Sequence, residues 1–446
     1  MLQIQINGGQ RLLGKLRLSG AKNSLLPILT ACLMVHGTVY LQDVPKLSDI
    51  NQMLHILADL GCVVNRCGNT VKIDTNELCT HIINSQFAHK IRGSIFVMGA
   101  LLSRLGKVEL PFPGGCVIGS RPIDLHLSLL RQIGVKCHCH NQTIKATYQP
   151  HRHHKPTVLT LDFPSVGATE NIIQATALGI AGNIYEIHGV AKEPEVVDLC
   201  NFLNQCGAQI TGAGTDTITI NSVTQLHGTT YTPIPDRINT GSYLIAVAVT
   251  GGDVTLTNTI PAHNLNLINK LKAVGAQITV HKETIRIVMN HRRANQFDVH
   301  TAPYPGFPTD LQSQFCVLAA LTHGHSTITE NLFENRFRYV PELIKLGAQI
   351  TVERNIAQVK GVKTFIAKPT NNLCPSSYQI PAQQECVGTT VTAHDLRGGV
   401  ALVIAALATP GTTTIEHAEY IYRGHEDIAK DLRQLGANIV ALDQPD

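Results

Sequence analysis

Residues 268–278 read INKLKAVGAQI, and this short stretch decides the fold. Apolar residues three and four apart describe a helix with one buried face. A glycine follows, because the left-handed backbone that closes a helix suits glycine. The alternation Ala276-Gln277-Ile278 then opens a strand. The same phrase recurs as HILADLGCVV (55–64), LSLLRQIGVKC (127–137), NFLNQCGAQI (201–210), PELIKLGAQI (341–350) and DLRQLGANI (431–439). Upstream of each copy lies a second recurring piece, a glycine leading into a short alternating strand. Its six forms are HGTVYLQDV (36–44), LGKVELPF (105–112), AGNIYEIHGV (181–190), GGDVTLTNTI (251–260), HGHSTITENL (323–332) and PGTTTIEHA (410–418). An apolar helix rich in Ala, Leu and Ile precedes each of these. The unit is therefore helix, strand, helix, strand, with further strand in the connection to the next unit. Six such units predict an α/β protein with three units in each of two domains.

Length agrees, since 446 residues exceed one ordinary core and suit two domains of about 200 residues each. A hydrophobic content of 43% and a charged content of 15% mark a globular chain. The net charge of +4 is too small for a general nucleic-acid binder. Twelve cysteines are scattered, several in helix-like apolar stretches, as reduced core thiols would be. The first residues alternate like a strand and do not read as a signal peptide. The longest apolar run, 400–408, is far short of a membrane span. The reading is a cytoplasmic protein without membrane insertion.

Two places break the repeat. From strand glycine to helix-end glycine the step is 24, 25, 23, 23 and 25 residues in five units, but 28 in the second, from Gly106 to Gly134. The extra residues hold PGGCVIGSRP (113–122), where Pro and Gly build an excursion carrying a thiol, Cys116, and an arginine, Arg121. A nearby cation lowers a thiol pKa and holds an anion beside it. The second break is the 89-residue step from Gly347 to Gly436, whose excess at 363–388 reads as an added surface loop.

Aligned on the strand glycines, the six apolar helices share a position fourteen residues upstream. It holds Asn23, Arg92, Ala168, Ile238, Asp310 and Arg397, with Lys22 and Arg237 one residue earlier in their copies. A cation at a helix start opposes the macrodipole. Recurring cations there point to an anionic ligand, held by side chains and helical N–H groups together. Read alone, Asp310 in Phe-Pro-Thr-Asp is a helix cap. Cys137-His138-Cys139-His140 with His151, His153 and His154 alternates along a strand and lacks zinc spacing, so no metal is expected. TGAGTD (211–216) lacks the dinucleotide fingerprint and reads as a turn.

SGAKNSLLPIL (19–29), PGGCVIGSRPIDLH (113–126), DFPSVGATENI (162–172), AKEPEVVDLCNFLN (191–204), PYPGFPTDLQSQF (303–315), ITENLFENRF (328–337) and DLRGG (395–399) together resemble the UDP-N-acetylglucosamine 1-carboxyvinyltransferase family. These are the enolpyruvyl transferases that open peptidoglycan precursor synthesis, and the resemblance covers essentially the whole chain. It implies two inside-out α/β barrels, residues 22–232 and residues 1–21 plus 233–446, with the active site in the cleft between them.

The resemblance further implies phosphoenolpyruvate at Lys22, Asn23, Arg121 and Arg397. It implies UDP-N-acetylglucosamine at Arg92, Arg121, Pro122, Ile123, Asp124, Leu125, Ser165, Val166, Gly167, Asp310 and Leu332. Cys116 would protonate the enol methylene, Asp310 would take the 3-hydroxyl proton, Lys22 and Arg397 would stabilise charge, and Arg336 would support the pocket. No cofactor is implied. Fosfomycin is expected to form an adduct at Cys116. Phe163-Pro164, the 363–388 loop and the His-rich 151–154 stretch depart from the pattern. Two other readings are a sister transferase using shikimate 3-phosphate or another nucleotide, and a catalytically silent paralogue that binds UDP-sugar and regulates.

Overall fold

The computed structural model describes residues 2–114, 119, 123–290, 295–366 and 389–443. The repeat phrases fold as their patterns require. The inner helices are Lys22–Ala31, Val97–Leu105, Val166–Ala177, Arg237–Thr250, Gln312–Ala320 and Leu396–Ala408. They are apolar nearly all round because they are buried all round; every residue of Arg237–Thr250 is buried. The amphipathic phrases form Ser48–Asp59, Asp124–Gln132, Pro194–Gln205, Leu265–Ala273, Val340–Lys345 and Ile428–Gln434. Each of these is followed by its predicted glycine at positive φ, between 91° and 110° at Gly61, Gly134, Gly207, Gly275, Gly347 and Gly436. Only glycine takes that conformation without a Cβ penalty.

The strands gather into six small sheets, five of four strands and one of three among the described residues. The strand after each strand glycine pairs antiparallel with a middle strand, which pairs antiparallel with the strand after the outer helix. Lys107–Pro111, Thr143–Thr147 and Lys136–His140 form the three-stranded version. Where a fourth strand is present, it adds in parallel at the outer edge.

Two hydrophobic cores result, and they share no residue. One gathers Leu25 to Leu226, the other Ile4 to Leu18 with Ile238 to Ile439. The early strands thus serve the later half. Leu2–Gly8 is the middle strand between Gly411–Glu416 and Asn438–Asp443, and Leu12–Arg17 is the parallel edge beside Gly252–Thr257. Thr230–Tyr231 performs the edge role for Thr38–Leu41.

The chain passes between the halves twice, and the two passages are bonded to each other. Ala21 N–H donates to Ile234 O (2.8 Å) and Asp236 N–H to Ser19 O (3.0 Å). Asp198 fastens them to the first half by accepting from Ser24, from the Tyr231 hydroxyl and from Ile234 N–H. The added loop expected at 363–388 falls almost wholly at 367–388, outside the described residues. Among the described residues no helix is long and apolar enough to cross a membrane, and no cluster of His, Cys, Asp or Glu is placed to hold a metal.

Candidate active site

Inner helices of the two halves begin near one another, and their first residues are the candidate site residues. Lys22 starts its helix, and its own N–H donates to Asp236 Oδ2 (3.2 Å), the cap of the Arg237–Thr250 helix. One helix start in each half is thereby tied to the other. Asp395 caps Leu396–Ala408 by accepting from Arg397 and Gly398 N–H, which fixes Arg397 at the helix entrance. Asp310 lies in the single turn Thr309–Leu311, ahead of Gln312–Ala320. It makes no capping bond, so the cap reading of Phe-Pro-Thr-Asp is corrected. Its carboxylate is clasped instead by Arg336 Nη2 (2.7 Å) and Arg397 Nη2 (3.0 Å), both guanidinium groups only 4% exposed.

Burial alone would raise the Asp310 pKa. Arg397, Arg336 and Lys22 outweigh it and hold the carboxyl far below the usual range. This is a charged cluster in which buried Lys22, Arg336 and Arg397 act on Asp310, whose carboxylate keeps 28% of its side-chain surface open to solvent. Arg397 Nη1 is buried without a hydrogen-bond partner among the described residues.

A second group assembles beside it in the first half. Ile123 precedes the Asp124–Gln132 helix, whose first turn holds Asp124 and Leu125. Ser165 caps the Val166–Ala177 helix through Ala168 N–H (3.4 Å). A Cβ on Gly167 would stand 3.0 Å from the His126 ring, so the 123–126 and 165–167 segments are close neighbours. His126 is held there by Asn171 Nδ2 (2.8 Å). Arg92 begins the turn Arg92–Phe96, half-buried. Asn23 follows Lys22 and is also half-buried. In the second half, Leu332 N–H donates to Glu330 Oε1 (2.9 Å).

Cys116, Arg121 and Pro122 lie outside the described residues. The ends of their loop are described. Gly114 N–H reaches Ala88 O at 3.4 Å, and a Cβ on Gly119 would collide with the Glu334 carboxylate. Gly119 thus lies against Glu334 of the second half.

The structure adds three residues that the helix-start register did not single out. Asp49, 5% exposed, accepts from Lys22 Nζ (3.4 Å) and from Arg423 Nε (2.8 Å). Burial would raise its pKa, but Lys22 and Arg423 hold it below the ordinary value. His425 is 1% exposed and near Lys22 and Arg397. Burial, then those two cations, push its pKa down to about 3. A second register would have found two of them. Twelve residues after the strand glycines stand Asp49 (Gly37), Arg336 (Gly324) and Arg423 (Gly411), and Arg121 is fifteen after Gly106 in the unit with the longer loop. Asp49 lies in the first turn of its outer helix, and Arg336 and Arg423 lie between strand and outer helix.

Known proteins resemble the chain along nearly its whole length. The family model described as EPSP synthase (3-phosphoshikimate 1-carboxyvinyltransferase) matches residues 6–432. UDP-N-acetylglucosamine 1-carboxyvinyltransferase 2 of Caldanaerobacter subterraneus is 43% identical over 442 residues, covering 99% of this chain and 100% of that one. The chain belongs to the UDP-N-acetylglucosamine 1-carboxyvinyltransferase family. The carboxyvinyltransferase of Acinetobacter baylyi is 39% identical, covering 97% of this chain and 98% of the relative. Among solved structures, the enolpyruvyl transferase NikO from Streptomyces tendae superposes with a TM-score of 0.84 at 23% identity, covering 100% and 99% of the two chains. EPSP synthase from Acinetobacter baumannii gives 0.69 at 17% identity, covering 99% and 100%. These two show that the carboxyvinyltransferase family shares its two-domain α/β fold with other enolpyruvyl transferases.

Proposed function

We propose that this protein transfers the enolpyruvyl group of phosphoenolpyruvate to the 3-hydroxyl of UDP-N-acetylglucosamine, releasing phosphate, at the first committed step of peptidoglycan synthesis. The observation that carries the reading is Asp310 clasped by Arg336 and Arg397 within reach of Lys22, in a chain related end to end to enzymes of that name. The domains are 22–232 and 1–21 plus 233–446. Phosphoenolpyruvate lies against Lys22, Asn23, Arg121 and Arg397. The nucleotide lies along 121–125 and 165–167, with Arg92 and Leu332 beside it. Nine free thiols among the described residues suit the reducing cytoplasm.

The bond changes divide among these residues. Cys116 gives a proton to the enol methylene, and the adjacent carbon becomes electrophilic. The 3-hydroxyl attacks that carbon while Asp310 takes its proton, giving a tetrahedral ketal. Loss of phosphate and of a methyl proton restores the enol ether. Each positioned proton transfer contributes about 100- to 10,000-fold. Asp310 is a feeble base while three cations face it. A phosphate bound at Lys22 and Arg397 offsets those charges and raises its basicity, so the base gains strength when the substrate is in place.

The test is phosphate release from phosphoenolpyruvate, with and without UDP-N-acetylglucosamine, for wild type and Cys116→Asp. Release that depends on the sugar nucleotide, and an Asp variant that turns over but resists fosfomycin alkylation at residue 116, support the reading. Binding of the nucleotide with no release would overturn it in favour of a silent regulatory paralogue.

A further inference from the structure

Asp49 is not used by the mechanism above, yet it sits inside the anion pocket. It is buried, and it faces two cations from opposite halves. Lys22 Nζ stands 3.4 Å from Oδ2, and Arg423 approaches with Nε 2.8 Å from Oδ1 and Nη2 3.4 Å from Oδ2. With Asp310 between Arg336 and Arg397, two such clasps stand side by side among the described residues, each a carboxylate held by two cations.

We propose that Asp49 is a built-in counter-anion, which occupies Lys22 and Arg423 in the empty site and competes with the incoming phosphate for them. Two buried cations drawn from separate halves would otherwise repel each other across the cleft, and a carboxylate between them holds both in place. The same carboxylate weakens the pocket for any oxyanion, because like charges at close range in a buried site repel strongly. Phosphate is also the leaving group of the proposed reaction. Asp49 then reclaims Lys22 and Arg423 as phosphate departs, so the product is not trapped. The inference rests on the reading of Lys22 as an anion-holding cation.

Asparagine keeps the shape of Asp49 and removes its charge; its carbonyl oxygen still accepts from Arg423 Nε, while its amide group replaces the oxygen that accepts from Lys22. Binding of inorganic phosphate to the full chain is measured by calorimetry at low salt. Asp49→Asn is expected to bind about tenfold more tightly, or about 1.4 kcal/mol, and phosphate should inhibit its turnover at about tenfold lower concentration. Asp49→Glu, which retains the charge, should stay within about threefold of wild type. Where Asp49→Asn does not fold, Asp49→Ser is measured in its place. A neutral variant that binds phosphate as wild type does, or more weakly, overturns the proposal. Lys22→Gln in the same assay separates the two readings. If it binds phosphate normally, the anion pocket is misassigned. If it loses binding while Asp49→Asn gains nothing, only the role of Asp49 falls.

Discussion

Asp310 and Arg397 are single residues whose meaning depends on where the repeat puts them. Removing the Asp310 charge while keeping its shape, in Asp310→Asn, should lower the rate of phosphate release by at least about 100-fold, with UDP-N-acetylglucosamine affinity changed far less. Titration of the nucleotide by calorimetry beside turnover checks the split. Lys22 and Arg397 were legible because cations recurred where a helix dipole disfavours them. Asp49 was not, because an aspartate in the first turn of an outer helix satisfies the dipole and so raises no question. Cys116 was legible only from the spacing anomaly and the resemblance. His425 gave no signal, since nothing in Arg-Gly-His-Glu tells that the imidazole is buried. It now carries a pH dependence. The unfolded chain takes up a proton near pH 6.5 that the folded chain refuses until about 3. Its contribution to stability is complete above pH 6.5 and is lost as the pH falls. Between pH 6.5 and 5.5 wild type should lose about 1 kcal/mol that His425→Gln does not, read from urea midpoints at the two values.

At the scale of elements, the inner helices are placed by small residues at their crossings. Gly99 brings the Val97–Leu105 helix against Val166–Ala177 so closely that an added methyl would run into Asn171 O, while Gly99 N–H donates to Asn171 Oδ1 (2.9 Å). Asn171 also holds His126 and accordingly sets the 123–126 segment. Gly99→Ala should therefore cost about 1–3 kcal/mol and also weaken nucleotide binding, whereas a purely local packing defect would leave binding intact. Thermal melting with and without UDP-N-acetylglucosamine distinguishes these. Elements were the most readable level of this chain. A phrase repeated six times averages out the ambiguity of any single copy, and the helix-end glycines mark boundaries that periodicity leaves loose. The sheet partners were less readable. Nothing local in Leu2–Gly8 says that its neighbours lie more than 400 residues away.

For the whole molecule, the site exists only where the halves meet, so the paired passages at 19–21 and 234–236 govern it. Gly20 is packed there with no room for a side chain: a Cβ would stand 2.5 Å from Asp43 O and 3.1 Å from Pro233. Gly20→Ala should displace one passage against the other and spoil the register of Lys22 with Arg423. We expect turnover to fall by about tenfold or more, an amount that a displacement of about 1 Å can cause. Each core should keep its own melting transition, because neither contains Gly20. Calorimetry and phosphate release on the same preparation check this.

The middle position of Leu2–Gly8 also bears on how the molecule is made. At roughly 5–20 residues per second, the ribosome needs roughly 20–80 s after finishing this strand to supply Gly411–Glu416, its first partner in that sheet. The first half can meanwhile complete its core from nearby sequence. The second half waits, with Ile4 and Ile6, both fully covered in the finished protein, exposed on a strand without neighbours. This strand is translated long before it is sheltered, and in that interval nascent chains are most open to pairing with one another or to capture by a chaperone.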